Sequence, residues 1–173
     1  KVLLTIHFVK AEFMLAFLRD YNDSKSVTSI FNSLDTLIGR KYFEDIFQVI
    51  LTDNGSEFKR VGELELTEDY ECRTMMFYCD PMASWQKPHI EKNHEFIRYV
   101  IPRGKSLNKY TQDDITLLMN HINSVRRPGL GYKAPYELIN EEDEDMWALF
   151  DLLKMDLIPP DEVHLKSDLF ANN

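Results

Sequence analysis

Apolar positions open the chain in two short runs. VLLTIHFV (2–9) and AEFMLAFL (11–18) are each long enough for one buried strand, and only the residues around Lys10 separate them, which predicts a hairpin or a bent pair. DYNDS, next in line, is turn chemistry. From Ser24 the period changes. Val27, Ile30, Phe31, Leu34, Leu37 and Ile38 recur at three and four residues, with Asp23 or Ser24 as the cap and Gly39 as the stop. FQVILT (47–52) reads as a short strand that carries Asp53 at its C-terminal end. CRTMMFYC (72–79) reads as another, closed by Asp80-Pro81.

Helical periods dominate the rest. In SWQKPHIEKNHEFIRYVIP, Pro88 suits a first helical turn, and Ile90, Phe96, Ile97 and Val100 supply an inner face. YTQDDITLLMNHINSV is marked more strongly: Thr111 caps, Asp114 stands at the capping-box position, and Ile115, Leu118, Met119, Ile122 and Val125 form the stripe. RRPGLGYKAP is a loop of Pro and Gly, EDEDMWALFDLLKM is helical, and IPPDE leads into a tail. Two adjacent strands, a helix, two more strands and then helices predict an α/β fold, a mixed sheet flanked by helices.

Composition narrows the class. The chain has 173 residues, 44% hydrophobic and 28% charged, as a soluble globular domain has. No apolar run approaches the ~20 residues of a membrane helix. The opening apolar stretch is broken by Lys10 and Glu12, with no cleavage-site pattern after it. Cys72 and Cys79 form no CxxC pair and no disulfide scaffold. With His89 and His94 they match no zinc spacing either. The net charge of −9 argues at first against nucleic acid. Its distribution changes that picture. Acidic residues gather in GELELTEDYE (62–71) and NEEDED (140–145), whereas Lys87, Lys92, Arg98, Arg103, Lys105 and Lys109 crowd one stretch, and Arg126-Arg127 make a second basic knot.

The candidate chemistry is a pair of carboxylates. Asp53 ends an apolar strand just before Asn54-Gly55, a turn that swings the chain away. Glu91 lies on the next long helix, and Arg98 follows seven positions later, about two turns along the same face. Carboxylates on a strand end and a facing helix suit Mg²⁺ (or Mn²⁺), which takes oxygen ligands and substrate phosphates. Two such ions activate an attacking oxygen and stabilise a leaving one in phosphoryl transfer. An Arg beside them binds a DNA phosphate. Glu95, one turn after Glu91, is the competing ligand; the seven-residue step to Arg98 favours Glu91. His7 reads as a core or edge histidine, Asp80 as a strand-ending turn residue, Trp85 as a packed or DNA-stacking residue, and Trp147 as core or a docking surface.

LTDNGSEF, YCDPMASWQKPHIEKNHEFIR and INSVRRPGLGYKAPYELI, in this order, resemble the catalytic core of bacterial insertion-sequence transposases with a retroviral-integrase-type centre. The resemblance covers about residues 1–139 and leaves 140–173 as a C-terminal helical extension and tail. It implies an RNase H-like fold, a five-stranded mixed sheet between helices, and an Asp-Asp-Glu triad in which Asp53 matches the second Asp and Glu91 the Glu. Arg98 matches the family's basic residue seven positions on. It also implies a bacterial cytoplasmic protein, duplex DNA (transposon ends and target) as partner, a homo-oligomer and Mg²⁺ or Mn²⁺ as cofactor, and the local basic patch makes Lys87, Lys92, Arg98, Arg103 and Lys105 the expected DNA-contacting set.

The match departs from the family in two further places. The family's first Asp lies on a strand preceding VLLTIHFV, and neither Asp20 nor Asp23 stands where it belongs. Pro88 and His89 occupy the place of the usual Gly before the Glu helix. The expectation is therefore a core lacking its first strand, inactive on its own, whose parent cuts and joins DNA. The alternatives are a non-catalytic DNA-binding or assembly remnant of such an enzyme, or another RNase H-like nuclease.

Overall fold

The computed structural model describes residues 1–67, 69–80, 88–139 and 143–171. β1 (Val2–Phe8) and β2 (Phe13–Arg19) form an antiparallel hairpin with Val2 opposite Arg19 and Phe8 opposite Phe13. α1 (Ser24–Ile38) and α2 (Arg40–Ile46) follow, then β3 (Val49–Thr52), a single 3₁₀ turn, and α3 (Val61–Glu65). β4 (Met75–Tyr78) pairs with β3 in parallel, Val49 opposite Met75. The chain continues through α4 (Pro88–Val100), α5 (Gln112–Asn123) and α6 (Glu144–Leu153).

Local signals explain most boundaries. Asp23 is the α1 N-cap, its carboxylate accepting from Ser26 N–H at 2.8 Å. Gly39 stops the helix at φ +87°, a conformation that L side chains rarely adopt. Thr111 and Asp114 form the expected capping box on α5. The expected 72–79 strand is shorter, because Arg73 and Thr74 are bound sideways. Arg73 donates to the Asp35 carboxylate at 3.0 Å, to Asn32 and to the Leu64 carbonyl, while the Thr74 hydroxyl donates to the Phe47 carbonyl. The buried Asp35 also holds Arg40 at 2.6 Å. The helical stripe of α1 thus includes one carboxylate, tolerated inside because two guanidinium groups meet it.

The described strands form two separate pairs, where the sequence pattern predicts one mixed sheet. The free edges of β2 and β4 are closed by side chains. On β2, Asn123 accepts from Met14 N–H and donates to the Met14 carbonyl, while Gln112 accepts from Leu18 N–H and donates to the Ala16 carbonyl. On β4, Met76 N–H donates to Glu65. Such capping satisfies edge amides that otherwise recruit another strand. Among the described residues no side chain does this for the opposite edges of β1 and β3. The two pairs meet at Phe8 and Phe47, whose rings lie 5.9 Å apart.

The core follows from this arrangement. Phe31, Phe43 and Phe47 pack edge and tilt beneath β3, and Phe13 stacks on Phe150 at 4.7 Å with Tyr136 against its edge. α5 lies along β2 and buries Ile115, Leu118, Met119 and Ile122. Among the described residues no helix is long and apolar enough to cross a membrane.

Candidate functional site

Asp53 stands one residue beyond β3, exposed, and its Oδ1 accepts from Gly55 N–H at 3.3 Å. That bond closes the turn anticipated from Asp-Asn-Gly. A Cβ on Gly55 would stand 2.6 Å from Glu57 Oε2 and 3.1 Å from Asp53 Oδ1. Two carboxylates therefore reach over the same glycine, and a larger residue there would push the flexible end of Glu57 aside.

Glu91 sits in the first turn of α4. The helix is fastened by the residues that follow it. Asn93, fully buried, donates to the Glu12 carbonyl at 3.3 Å, and the His94 ring bonds Thr5 on β1 at 3.1 Å. The Arg127 guanidinium stacks over Phe96 at 5.3 Å. With these residues turned inward, Glu91 and Arg98 share the exposed side, as a step of seven dictates. α4 is thus a rigid mount: buried polar grips on one side, a carboxylate and a guanidinium on the other.

The anticipated basic residues divide. Arg98 is exposed on α4, and Arg103 and Lys105 are exposed in the loop after it, where Gly104 takes φ +83°. Lys92 is also exposed, but its ammonium is 2.9 Å from Glu95, whose carboxylate raises the Lys92 pKa. Glu95, the competing ligand, is therefore engaged with a lysine. Lys87 and Trp85 lie outside the described residues. The Arg126-Arg127 knot is not one patch. Arg126 is exposed and paired with Glu137 at 2.9 Å; Arg127 is buried and paired with Glu12 at 3.2 Å. Its pKa is lowered by burial, with the Glu12 carboxylate opposing the shift.

Among the described residues, no group of three or more His, Cys, Asp and Glu is gathered to hold a metal ion. The carboxylates that the sequence offers as ligands, Asp53 and Glu91, stand just past β3 and in the first turn of α4, with Glu57 near Asp53. Hard oxygen donors of this kind fit Mg²⁺ or Mn²⁺ and not a soft metal. Asp35 and Arg73 escaped the sequence pattern, whose one signal for them is a charge within the α1 stripe and within the 72–79 run; Arg127, expected in a basic knot, is instead buried against Glu12.

Comparison with known proteins gives the same direction. No protein-family profile matches the chain. The transposase for insertion sequence element IS4351 of Bacteroides fragilis is 31% identical over 94 residues, 54% of this chain and 28% of that protein. A putative integrase of a Spiroplasma virus is 33% identical over 89 residues, 51% of this chain and 26% of its own length. The transposase InsI for insertion sequence element IS30A of Escherichia coli is 32% identical over 87 residues, 50% of this chain and 22% of its own length. The matched stretch spans about a quarter of the length of these proteins. Through that stretch the chain is a relative of insertion-sequence transposases.

Proposed function

We propose that this chain is part of the catalytic core of a DNA transposase, an RNase H-like unit whose parent nicks transposon ends and joins the freed 3′-hydroxyl to target DNA. The observation that carries the reading is the mounting of two carboxylates: Asp53 on a closed turn at the end of β3, Glu91 on a helix gripped by Asn93 and His94. Asp53 and Glu91 are the ligands we assign to a divalent cation. When bound, Mg²⁺ or Mn²⁺ would supply Lewis-acid stabilisation of charge at the phosphoryl oxygens. Arg98, on the Glu91 side of α4, orients a phosphodiester there, because a guanidinium matches phosphate oxygens in geometry and charge.

The open edges of β1 and β3 support the RNase H-like reading. Free edges of β2 and β4 closed by Asn123, Gln112 and Glu65, beside free edges of β1 and β3 without such caps among the described residues, are what a further strand between β1 and β3 would leave. In the family that strand bears the third carboxylate. Two carboxylates alone hold Mg²⁺ weakly, since it keeps several waters and needs few but well-placed oxygen ligands.

Mn²⁺ titration followed by amide NMR tests the assignment without requiring turnover. Paramagnetic broadening should begin at Asn54, Gly55 and the first turn of α4. Asp53→Asn should raise the Mn²⁺ concentration needed by about tenfold or more, as losing a hydrogen-bonded charge contact does. Broadening centred elsewhere, or unchanged in both Asp53→Asn and Glu91→Gln, overturns the metal assignment.

A further inference from the structure

The segment after α6 runs back along α5 in the opposite direction. Ile158 N–H donates to Ser124 Oγ at 2.9 Å, just past the C-terminal end of α5. His164 N–H donates to His121 Nδ1 at 3.1 Å, and the Phe170 ring lies 4.9 Å from Tyr110, before the helix begins. Leu169 is buried under the same stretch. Residues 158–170 therefore span the length of a twelve-residue helix, roughly 18 Å at 1.5 Å per residue, and are pinned at both ends and near one of them.

The pin at His121 has a chemical condition. Its Nδ1 accepts a backbone N–H, so the ring is neutral with its proton on Nε2. A doubly protonated ring would turn Nδ1 into a donor facing a donor. We infer that residues 158–171 form a pH-gated strap on α5, seated while His121 is neutral and released when it is protonated.

The surroundings favour the neutral ring. His121 is buried, and that desolvation, followed by the charge of His164, holds its pKa below the ordinary imidazole value. The dipole at the C-terminal end of α5 works the other way, and burial wins. From the tail, His164 faces His121, and its own Nε2 is 2.7 Å from Asp168. Before the strap stand Lys154 and Asp156, and the strap itself carries Asp161 and Glu162 ahead of His164 and Lys166 after it. On the elements packed against α5, β2 carries Arg19, bound to Asn22 and Ser26, and α4 carries Glu91, Lys92, His94, Glu95 and Arg98.

The sign follows from linkage. A histidine whose seated pKa is depressed binds fewer protons than when released, so seating is complete above the ordinary value near 6.5 and weakens as pH falls through it. Between pH 7.5 and 5.5 the strap's opening constant should rise by up to about tenfold, the limit for one titrating imidazole.

Hydrogen exchange of the full chain, corrected for intrinsic rates, reads this directly. Peptides from 158–171 should open more at pH 5.5 than at 7.5, with α5 itself protected at both. His121→Gln keeps an acceptor that does not titrate, and should abolish the pH dependence while leaving the strap seated. An opening constant equal at the two pH values, or a pH dependence retained in His121→Gln, overturns the proposal. Should that variant not fold, the ¹⁵N titration of the wild-type ring decides: Nε2–H as the neutral tautomer and a midpoint below the ordinary value support the strap, and the other tautomer or a normal midpoint overturns it.

Discussion

Arg127 and Glu12, 115 residues apart in sequence, meet in a 3.2 Å ion pair beneath α4. Glu12 has φ +52°, a left-handed conformation disfavoured for its side chain. Its carbonyl accepts from Asn93, its carboxylate from Arg127, and Arg127 reaches on to the Ile122 carbonyl. One hairpin turn is thereby tied to the helix bearing Glu91 and to the end of α5. Removing Arg127 takes away the guanidinium that meets the Glu12 carboxylate and the Ile122 carbonyl. Arg127→Met should cost about 3 kcal/mol, the usual loss when one partner of a buried pair is removed. Urea unfolding measures it; a loss under about 1 kcal/mol would show that the pair is peripheral to the hairpin's hold on α4.

The closed edge of β2 gives a second expectation. Asn123 is fully buried and serves both the N–H and the carbonyl of Met14, whereas Gln112 works at the exposed end of the strand. Asn123→Ala strands two buried backbone groups, at ~1–3 kcal/mol each. Gln112→Ala hands its groups to water. Asn123→Ala should therefore destabilise the fold clearly more than Gln112→Ala, and equal urea midpoints for the two variants would contradict this account of the edge.

The cap of α1 is pH-dependent. Hydrogen bonds from the backbone and side chain of Ser26 hold the Asp23 carboxyl below its ordinary pKa. A depressed carboxylate contributes its stability above the unfolded value and loses it as pH falls through the folded one. The urea midpoint of wild type should thus exceed that of Asp23→Ala at neutral pH, and the gap should shrink between about pH 4 and pH 2. Asp23→Ser, an uncharged cap, should keep a gap that does not vary over that range. A wild-type advantage that persists undiminished at pH 2 would mean the carboxylate is not the capping group.

Local chemistry was legible in the chain where it was self-contained. The hairpin, the Asp23 cap, the Gly39 stop and the Thr111–Asp114 box each depend on residues within a few positions, and each stands where the pattern put it. α2 escaped because seven residues hold fewer than two turns, too few to show a helical period. Asp35 with Arg73 and Glu12 with Arg127 escaped because their partners are remote in sequence, and a charge at an apolar position has no local sign of being paired. The division of the sheet into two pairs escaped for the same reason: strand order is a property of edges, and edge caps such as Asn123 are visible only once α5 lies on β2. For the candidate site, the seven-residue step put Glu91 and Arg98 on one exposed side of α4 as the pattern predicts, while the grip of Asn93 and His94 had no local sign.

The exposed cations after Glu91 make the last expectation, a test of duplex DNA as the partner. Arg98, Arg103 and Lys105 are exposed on α4 and the loop following it, in a chain of net charge −9. Binding to such a patch depends on counterion release, so its affinity should fall with salt at a log–log slope of roughly −0.9 for each phosphate neutralised. Arg98→Ala should lower that slope by about one contact and weaken all duplex sequences alike, since a phosphate contact carries no base information. Lys92→Ala should do less, because Glu95 already holds the Lys92 ammonium at 2.9 Å and offsets its charge locally. Fluorescence anisotropy with a labelled duplex at two salt concentrations separates these outcomes. If binding is independent of salt, or if Lys92→Ala weakens it more than Arg98→Ala does, the exposed side of α4 is not the DNA-facing surface.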